Sequence, residues 1–405
     1  MFKPEILAPA GDLEKLKFAC IYGADAVYLG GRQYGLRAAA GNFSIEEIKE
    51  GISFAHSRGK KVYVTVNIFA HNKDLISLPD YLGELTELEV DGVIVSDPGI
   101  IRIVRQVAPL LPLHLSTQAN MTNWSSAMFW KELGLQRLVL ARELSLQEIS
   151  EISSKVDIEL EAFVHGAMCM SYSGRCIISN FLTGRGANQG ECAHPCRYKY
   201  YLVEEKRPGE CMPVEEDERG SYIFNSRDLC MLPHLKDLVE AGIHSFKIEG
   251  RMKSIHYVAT VVKAYREVLD SCIEGEENSE LVSKWLNELK KVSHRGYTTG
   301  FYYKPPTAED HNYETSSYIR EYEFIGIVKG YSKEQNAYEI EQRNRFAKGE
   351  TIELFTPSGE IFTYTINHMK NEEGESIDAA PHPQQIVYLP LKQKVEPFTI
   401  LRRKK

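Results

Sequence analysis

No run of about eighteen apolar residues interrupts this 405-residue chain, so it offers no segment that would cross a bilayer as a helix. Its first residues, MetPheLysProGluIleLeuAlaPro, lead straight into a strand pattern and lack a basic, apolar leader. A cytoplasmic protein without membrane contact is therefore expected. Basic excess is missing too. Against 56 acidic residues stand 48 lysines and arginines, a net charge of −8, which does not advertise a nucleic-acid binder because phosphate contacts need cations. The chain has no HisGlu-x-x-His run for a zinc protease and no Gly-x-Ser-x-Gly elbow for a serine hydrolase. A glycine-rich phosphate loop is also absent: GlyGlyArg at 30–32 is too short, and it follows the second strand pattern, not the first.

What the chain has is a recurring pair of patterns. Short Val/Ile/Leu-rich runs stand at 6–9, 26–30, 62–67, 92–96, 113–117, 137–141, 159–165 and 245–250, and amphipathic stretches such as Ile45 to Arg58 and Ser145 to Ser153 lie between them. Such runs suit strands covered on both faces. Eight βα units predict a closed (β/α)8 TIM-like barrel over 1–303, with an open doubly wound sheet as the alternative. Barrel chemistry gathers at the C-terminal ends of the strands. The residues there are Gly11, Arg32, Asn67, Asp97, Gln118, Glu143 and His165, then Lys247, Glu249 and Arg251 after the eighth run. Loops are polar in any case, so each has a structural reading too; for His165 it is a hydrogen-bonded core residue.

The interval between the seventh and eighth runs, about 166–244, is too long for a plain connection. It holds Cys169, Cys176, Cys192 and Cys196, separated by six, fifteen and three residues. Cytosolic thiols stay reduced, which argues against disulfides. Thiolates gathered this way ligate zinc or an iron–sulfur cluster, and the spacing alone does not choose between them. A bound metal would supply order that the charged stretch 204–220 cannot draw from apolar burial. Residues 222–229 read as an extra strand and a helix start, with Cys230 next as an alternative fourth ligand. Arg175, Arg185, Arg197 and Lys199 stand against one acidic residue, Glu191, and the last four residues, Arg402 to Lys405, are all basic. Either patch reads equally as solvated surface, the second as a disordered tail. Past ProPro at 305–306, alternating runs at 324–329, 337–341, 351–355, 362–366, 386–390 and 398–402 predict a small antiparallel β-barrel over 318–405. Such a module binds RNA or protein, or serves only as a lid.

The stretch GluAlaPheValHisGlyAlaMetCysMetSerTyrSerGlyArgCysIleIleSer at 161–179 resembles the signature of peptidase family U32, the collagenase-like peptidases. GluIleLeuAlaProAlaGlyAsp at 5–12, SerAspProGly at 96–99 and AsnGlnGlyGluCysAlaHisProCysArg at 188–197 are similar to it as well. So are PheLysIleGluGlyArgMetLys at 246–253 and HisArgGlyTyrThrThrGlyPhe at 294–301. The likeness runs end to end, and the layout is similar to the branch that hydroxylates bacterial tRNA. The resemblance implies formation of 5-hydroxyuridine at the tRNA wobble position without molecular oxygen, with prephenate as hydroxyl source. It also implies a [4Fe–4S] cluster on Cys169, Cys176, Cys192 and Cys196, zinc being the alternative metal. Relatives imply other RNA targets and pairing with a second protein of the same family. A collagenase-like peptidase and a non-catalytic RNA-binding scaffold are the competing readings; cluster-bound thiolates could not also be free nucleophiles. On the hydroxylation reading, Arg142, Lys247 and Arg251 clamp the two carboxylates of prephenate. Glu143 or His165 moves protons, and Asn67 and Gln118 line the pocket. Tyr172 and Arg175 meet the RNA, with Tyr198 and Tyr200 as further stacking surfaces.

Overall fold

In a computed structural model of the chain, residues 2–35, 42–168, 178–183, 185, 193, 195, 201–203, 211–213, 227–276, 278–305 and 318–405 are described. Cys169, Cys176, Cys192, Cys196, Tyr172, Arg175, Tyr198 and Tyr200 lie outside the described residues.

Seven parallel strands follow one another: β1 (Glu5–Pro9), β2 (Ala26–Gly30), β3 (Lys61–Val66), β4 (Gly92–Val95), β5 (Leu113–Leu115), β6 (Arg137–Val139) and β7 (Glu159–Ala167). Between them lie α1 (Leu13–Ile21), α2 (Ile45–His56), α3 (Leu78–Glu87), α4 (Pro98–Val107), α5 (Trp124–Glu132) and α6 (Leu146–Lys155). Sequence chemistry fixes where several helices begin. Asp12 and Asp97 accept from the backbone N–H three residues on, and Ser44–Glu47 and Ser145–Glu148 form reciprocal capping boxes. After β7 come α7 (Ile178–Thr183), the antiparallel ribbon of β8 (Tyr201–Val203) and β9 (Cys211–Pro213), β10 (Asp228–Cys230) and α8 (Leu235–Glu240). The next strand, β11 (Ser245–Ile248), bonds in parallel to both β7 and β1 and closes the barrel. The eight runs read from the sequence are its eight strands.

The interval also adds to the sheet. The strand β10 pairs antiparallel with the projecting end of β7, Cys230 opposite His165, and β12 (Tyr297–Thr298) pairs with β10. Between β11 and β12 run α9 (Ile255–Ile273) and α10 (Ser279–Leu289).

The C-terminal part is an antiparallel sheet. Its strands are β13 (Tyr322–Ser332), β14 (Ala337–Gln342), β16 (Thr351–Phe355), β17 (Ile361–Thr365), β19 (Ile386–Leu389) and β20 (Ile400–Lys404). The short β15 (Phe346–Ala347) and β18 (Ala379–Ala380) form a separate ribbon. The sheet order is β17-β16-β20-β13-β14-β19, and two register shifts in β13 bend it. It has its own core around Ile325, Ile340, Leu354 and Val387, while Ile327, Phe355 and Ile400 belong to the barrel's core. The hydroxyl of Tyr22, which caps α1, lies 2.9 Å from the carbonyl oxygens of both Phe355 and Phe398.

The basic C-terminus is not a solvated tail. Arg402 is fully buried, bonded to Glu288 of α10 and to Glu353 at 2.8 Å, and Lys291 pairs with the same two carboxylates. Arg403 pairs with Glu323 and Glu350. Alternation along β20 and its central place in the sheet turn part of a basic run inward, which charge counting cannot reveal.

Candidate functional site at the barrel mouth

A barrel strand sends alternate side chains inward. Those of the lower barrel form an apolar cluster of Leu7, Ala26, Tyr28, Tyr63 and Ile94, and beside it a network of charges. Glu161 on β7 is fully buried and bridges two cations, Lys247 at 2.6 Å and Arg137 at 3.3 Å. Arg137 also pairs with Glu5 at 2.6 Å and Glu159 at 2.8 Å, and Glu5 accepts from the Tyr63 and Ser245 hydroxyls. The Lys247 ammonium lies 4.5 Å over the Tyr28 ring. His114 stands edge-on to Tyr63, and burial, reinforced by Arg137 and Lys247, holds its imidazole well below the usual histidine range. Lys247 is thus a fixed ammonium in the barrel floor.

Above this floor the strand ends make the mouth. Arg142, past β6, lays its guanidinium 3.8 Å over the Phe163 ring, donates to the Ala167 carbonyl at 2.8 Å and pairs with Glu249 at 3.3 Å. Arg251, past β11, is buried and reaches across to the Thr65 hydroxyl on β3 at 3.5 Å. Between them runs a neutral band. The Ser96 hydroxyl donates to the Asn67 carbonyl, the Asn67 amide donates to Ser116 at 3.4 Å, and Ser116 donates to the Gln118 side chain at 3.3 Å. Gln118 is held there by a single 3-10 turn, Thr117–Ala119, for which Ser116 is the cap. Two cationic forks facing a band of hydroxyls and amides suit a small oxyanion that also carries hydroxyl groups.

Asn67, Gln118, Arg142 and Arg251 therefore come together at one rim, with Glu143 half-buried on the adjoining loop. His165 sits elsewhere. Its ring packs 5.9, 5.5 and 5.6 Å from Tyr257, Tyr265 and Tyr297, and its Nδ1 is 3.3 Å from the Tyr265 hydroxyl. Burial, then the charges of Lys253 and His294, pushes it down to about 3. Tyr257 and Tyr265 belong to α9, so the ring lies in the wall between β7 and that helix, in the core-histidine role. The displacement follows a register shift between β7 and β11: Phe163 pairs with Lys247 and His165 with Ile248, leaving Val164 as an extra residue on β7. Sequence reading passed over Glu161, Thr65, Ser96 and Ser116, although a polar residue at an alternate position of an apolar strand marks each.

Among the described residues no three His, Cys, Asp or Glu side chains are placed to hold a metal. Cys230 is a buried free thiol, and its burial raises it to about 11. On β10 it stands opposite His165, with Asp228 opposite Ala167. The four clustered cysteines supply the soft donors that zinc or an iron–sulfur cluster requires.

The sequence profile described as peptidase family U32 matches residues 11–312, and that of the family's C-terminal domain matches residues 320–402. The tRNA hydroxylation protein P1 of Bacillus subtilis is 47% identical over 403 residues, covering 100% of this chain and 95% of that protein. The tRNA hydroxylation protein P of Escherichia coli is 40% identical and covers 98% of this chain and 95% of its own length. A 23S rRNA 5-hydroxycytidine synthase of Escherichia coli is 37% identical over 303 residues, 73% of this chain and 45% of that protein.

Proposed function

We propose, on the premise that this chain belongs to peptidase family U32, that it is an RNA-hydroxylating enzyme whose substrate is tRNA. Full-length likeness to relatives named for tRNA hydroxylation carries this reading, and the polar mouth is where its chemistry is expected. The finer reading is 5-hydroxyuridine at the wobble position with prephenate as hydroxyl source. Prephenate brings two carboxylates, and Arg142 and Arg251 are two guanidinium forks on one rim. In this scheme Arg142, kept flat on Phe163 by Glu249, orients one carboxylate and Arg251 the other. Lys247 adds fixed positive charge below, while Asn67, Ser96, Ser116 and Gln118 accept or donate to hydroxyl groups. Glu143, beside Arg142, is the residue on hand to move a proton.

Cys169, Cys176, Cys192 and Cys196 would hold a [4Fe–4S] cluster, with Cys230 the alternative fourth ligand. Such a cluster would supply a Lewis-acidic or electron-relaying iron. The basic insertion around Arg175 and the C-terminal sheet are the proposed tRNA contacts, Tyr172 stacking on the extruded base. No helix among the described residues is long and apolar enough to cross a membrane.

The test is nucleoside mass spectrometry of tRNA from a host unable to make 5-hydroxyuridine, complemented with this chain or its Cys169→Ala variant. Hydroxylated nucleoside only with intact Cys169 is the expected result. If tRNA stays unmodified while ribosomal RNA gains the hydroxyl, the tRNA assignment fails; if neither changes with metal-loaded protein, the scaffold reading takes its place.

A further inference from the structure

The GlyGlyArg run at 30–32 is no phosphate loop, yet both glycines are required by what surrounds them. Gly30 ends β2 at the mouth, and a Cβ built there would collide with the Arg251 guanidinium. The same Cβ would lie 3.2 Å from the Thr65 hydroxyl and 3.4 Å from the Asn42 side-chain oxygen. Gly31 faces the other way, and a Cβ on it would strike the Tyr81 hydroxyl. Tyr81 is buried, and its hydroxyl has no hydrogen-bond partner among the described residues. One glycine thus clears the guanidinium and the next clears the ring behind it.

The two collisions differ in kind. The terminal nitrogen of an arginine is the far end of a flexible side chain and can swing away, whereas Gly11 abuts the backbone carbonyl of Arg251, which cannot. Gly30 lies in an ordinary strand whose backbone suits alanine. Gly30→Ala should therefore fold, displacing the guanidinium and shifting the Thr65 hydroxyl by a few tenths of an ångström.

We infer that Gly30 and Thr65 form a positioning notch that seats Arg251 for one carboxylate of a small anionic co-substrate, and so set the mouth's selectivity for that anion. This rests on the proposed reading of the mouth. Gly30 leaves the space, and the Thr65 hydroxyl accepts from Arg251 Nη1 and fixes the plane of the fork. Neither residue touches the anion; each acts through Arg251. An arginine swung out of the notch keeps its charge but loses the two-pronged geometry that distinguishes a carboxylate from other anions.

The test uses metal-loaded full-length protein with two measurements. Titration calorimetry with prephenate is expected to show about tenfold weaker binding for Gly30→Ala and for Thr65→Val, with Thr65→Ser within about twofold of wild type; tenfold corresponds to about 1.4 kcal/mol. Affinity for tRNA and the melting temperature should not move, which separates positioning from general damage. Arginine-selective dicarbonyl labelling, read by peptide mass spectrometry, should modify Arg251 faster in Gly30→Ala than in wild type. Unchanged prephenate affinity in both variants, or unchanged labelling of Arg251 in Gly30→Ala, overturns the notch. If wild-type protein binds no prephenate, the co-substrate reading falls instead, and the labelling alone decides the notch.

Discussion

Replacing Glu161 by glutamine should destabilise the barrel strongly, and a second substitution should largely repair it. Glu161 is fully buried and its carboxylate serves two cations at once, Lys247 at 2.6 Å and Arg137 at 3.3 Å. Arg137 keeps Glu5 and Glu159 after the change, but Lys247 loses its buried carboxylate. Removing one partner of a buried pair costs about 3–5 kcal/mol, because an uncompensated charge stays inside. At about 2–4 °C per kcal/mol for chains somewhat smaller than this one, the melting temperature should fall by roughly 10 °C. Glu161→Gln combined with Lys247→Met removes both charges in similar volume and should recover most of the loss. Urea denaturation of the four proteins of this cycle gives the coupling directly. A single variant within about 1 kcal/mol of wild type, or a double variant no better than the single, would refute the view that Glu161 holds Lys247. The cycle also bears on function. If Lys247 only completes the floor, RNA hydroxylation returns with stability; if its charge serves the mouth, the stable double variant stays impaired.

Three further outcomes are expected. Arg402→Met leaves Glu288 and Glu353 with Lys291 alone, so about 3–5 kcal/mol of stability should go and limited proteolysis should release the C-terminal sheet; a wild-type proteolysis pattern would contradict this. His165 titrates at about 3 when folded against about 6.5 unfolded, so the unfolded chain binds the extra proton between those values. Its contribution is complete above pH about 6.5 and lost as pH falls toward 3, about 2 kcal/mol by pH 5; His165→Asn should flatten that part of the stability–pH curve, and an unaltered slope would exclude it as the source. With the proposed cluster reconstituted, Cys196→Ala should abolish its visible absorbance, whereas Cys230→Ala should keep it; the reverse pattern would make Cys230 the fourth ligand.

The barrel was legible because its strands are apolar on both faces and recur at helix-plus-loop spacing, a signal that neighbouring insertions do not erase. Rim residues such as Asn67, Gln118, Arg142 and Arg251 followed from reading the residue at or just past the end of each run. That reading fails where a strand is irregular. His165 stands at the end of the seventh run like the others, but the register shift beside Ile248 leaves it between tyrosines. Strand direction was equally hidden. Residues 228–230 form a strand where the reading of 222–229 put a helix start, and only the ladder shows that it runs antiparallel to β7 with Cys230 opposite His165. Arg402 and Glu288 are 114 residues apart, and nothing local announces their pairing.

The remaining question is why a barrel should carry charge in its floor when apolar layers would be cheaper. A hydrophobic floor would leave Lys247 unable to sit beneath the mouth, because a lone buried ammonium is expelled or neutralised. Glu161 and Arg137 solve that problem from below, facing away from the substrate side, and the chain continues through Glu5 to the bottom of the barrel. Held that way, the ammonium adds positive potential under a rim whose own guanidiniums are fixed by Phe163, Glu249 and Thr65. Fixed charge that needs no reorganisation is the form of electrostatics most useful to a bound anion. The stability cost of the buried charges and the potential under the mouth are then two consequences of one arrangement, and the Glu161–Lys247 cycle reads the first by denaturation and the second by hydroxylation.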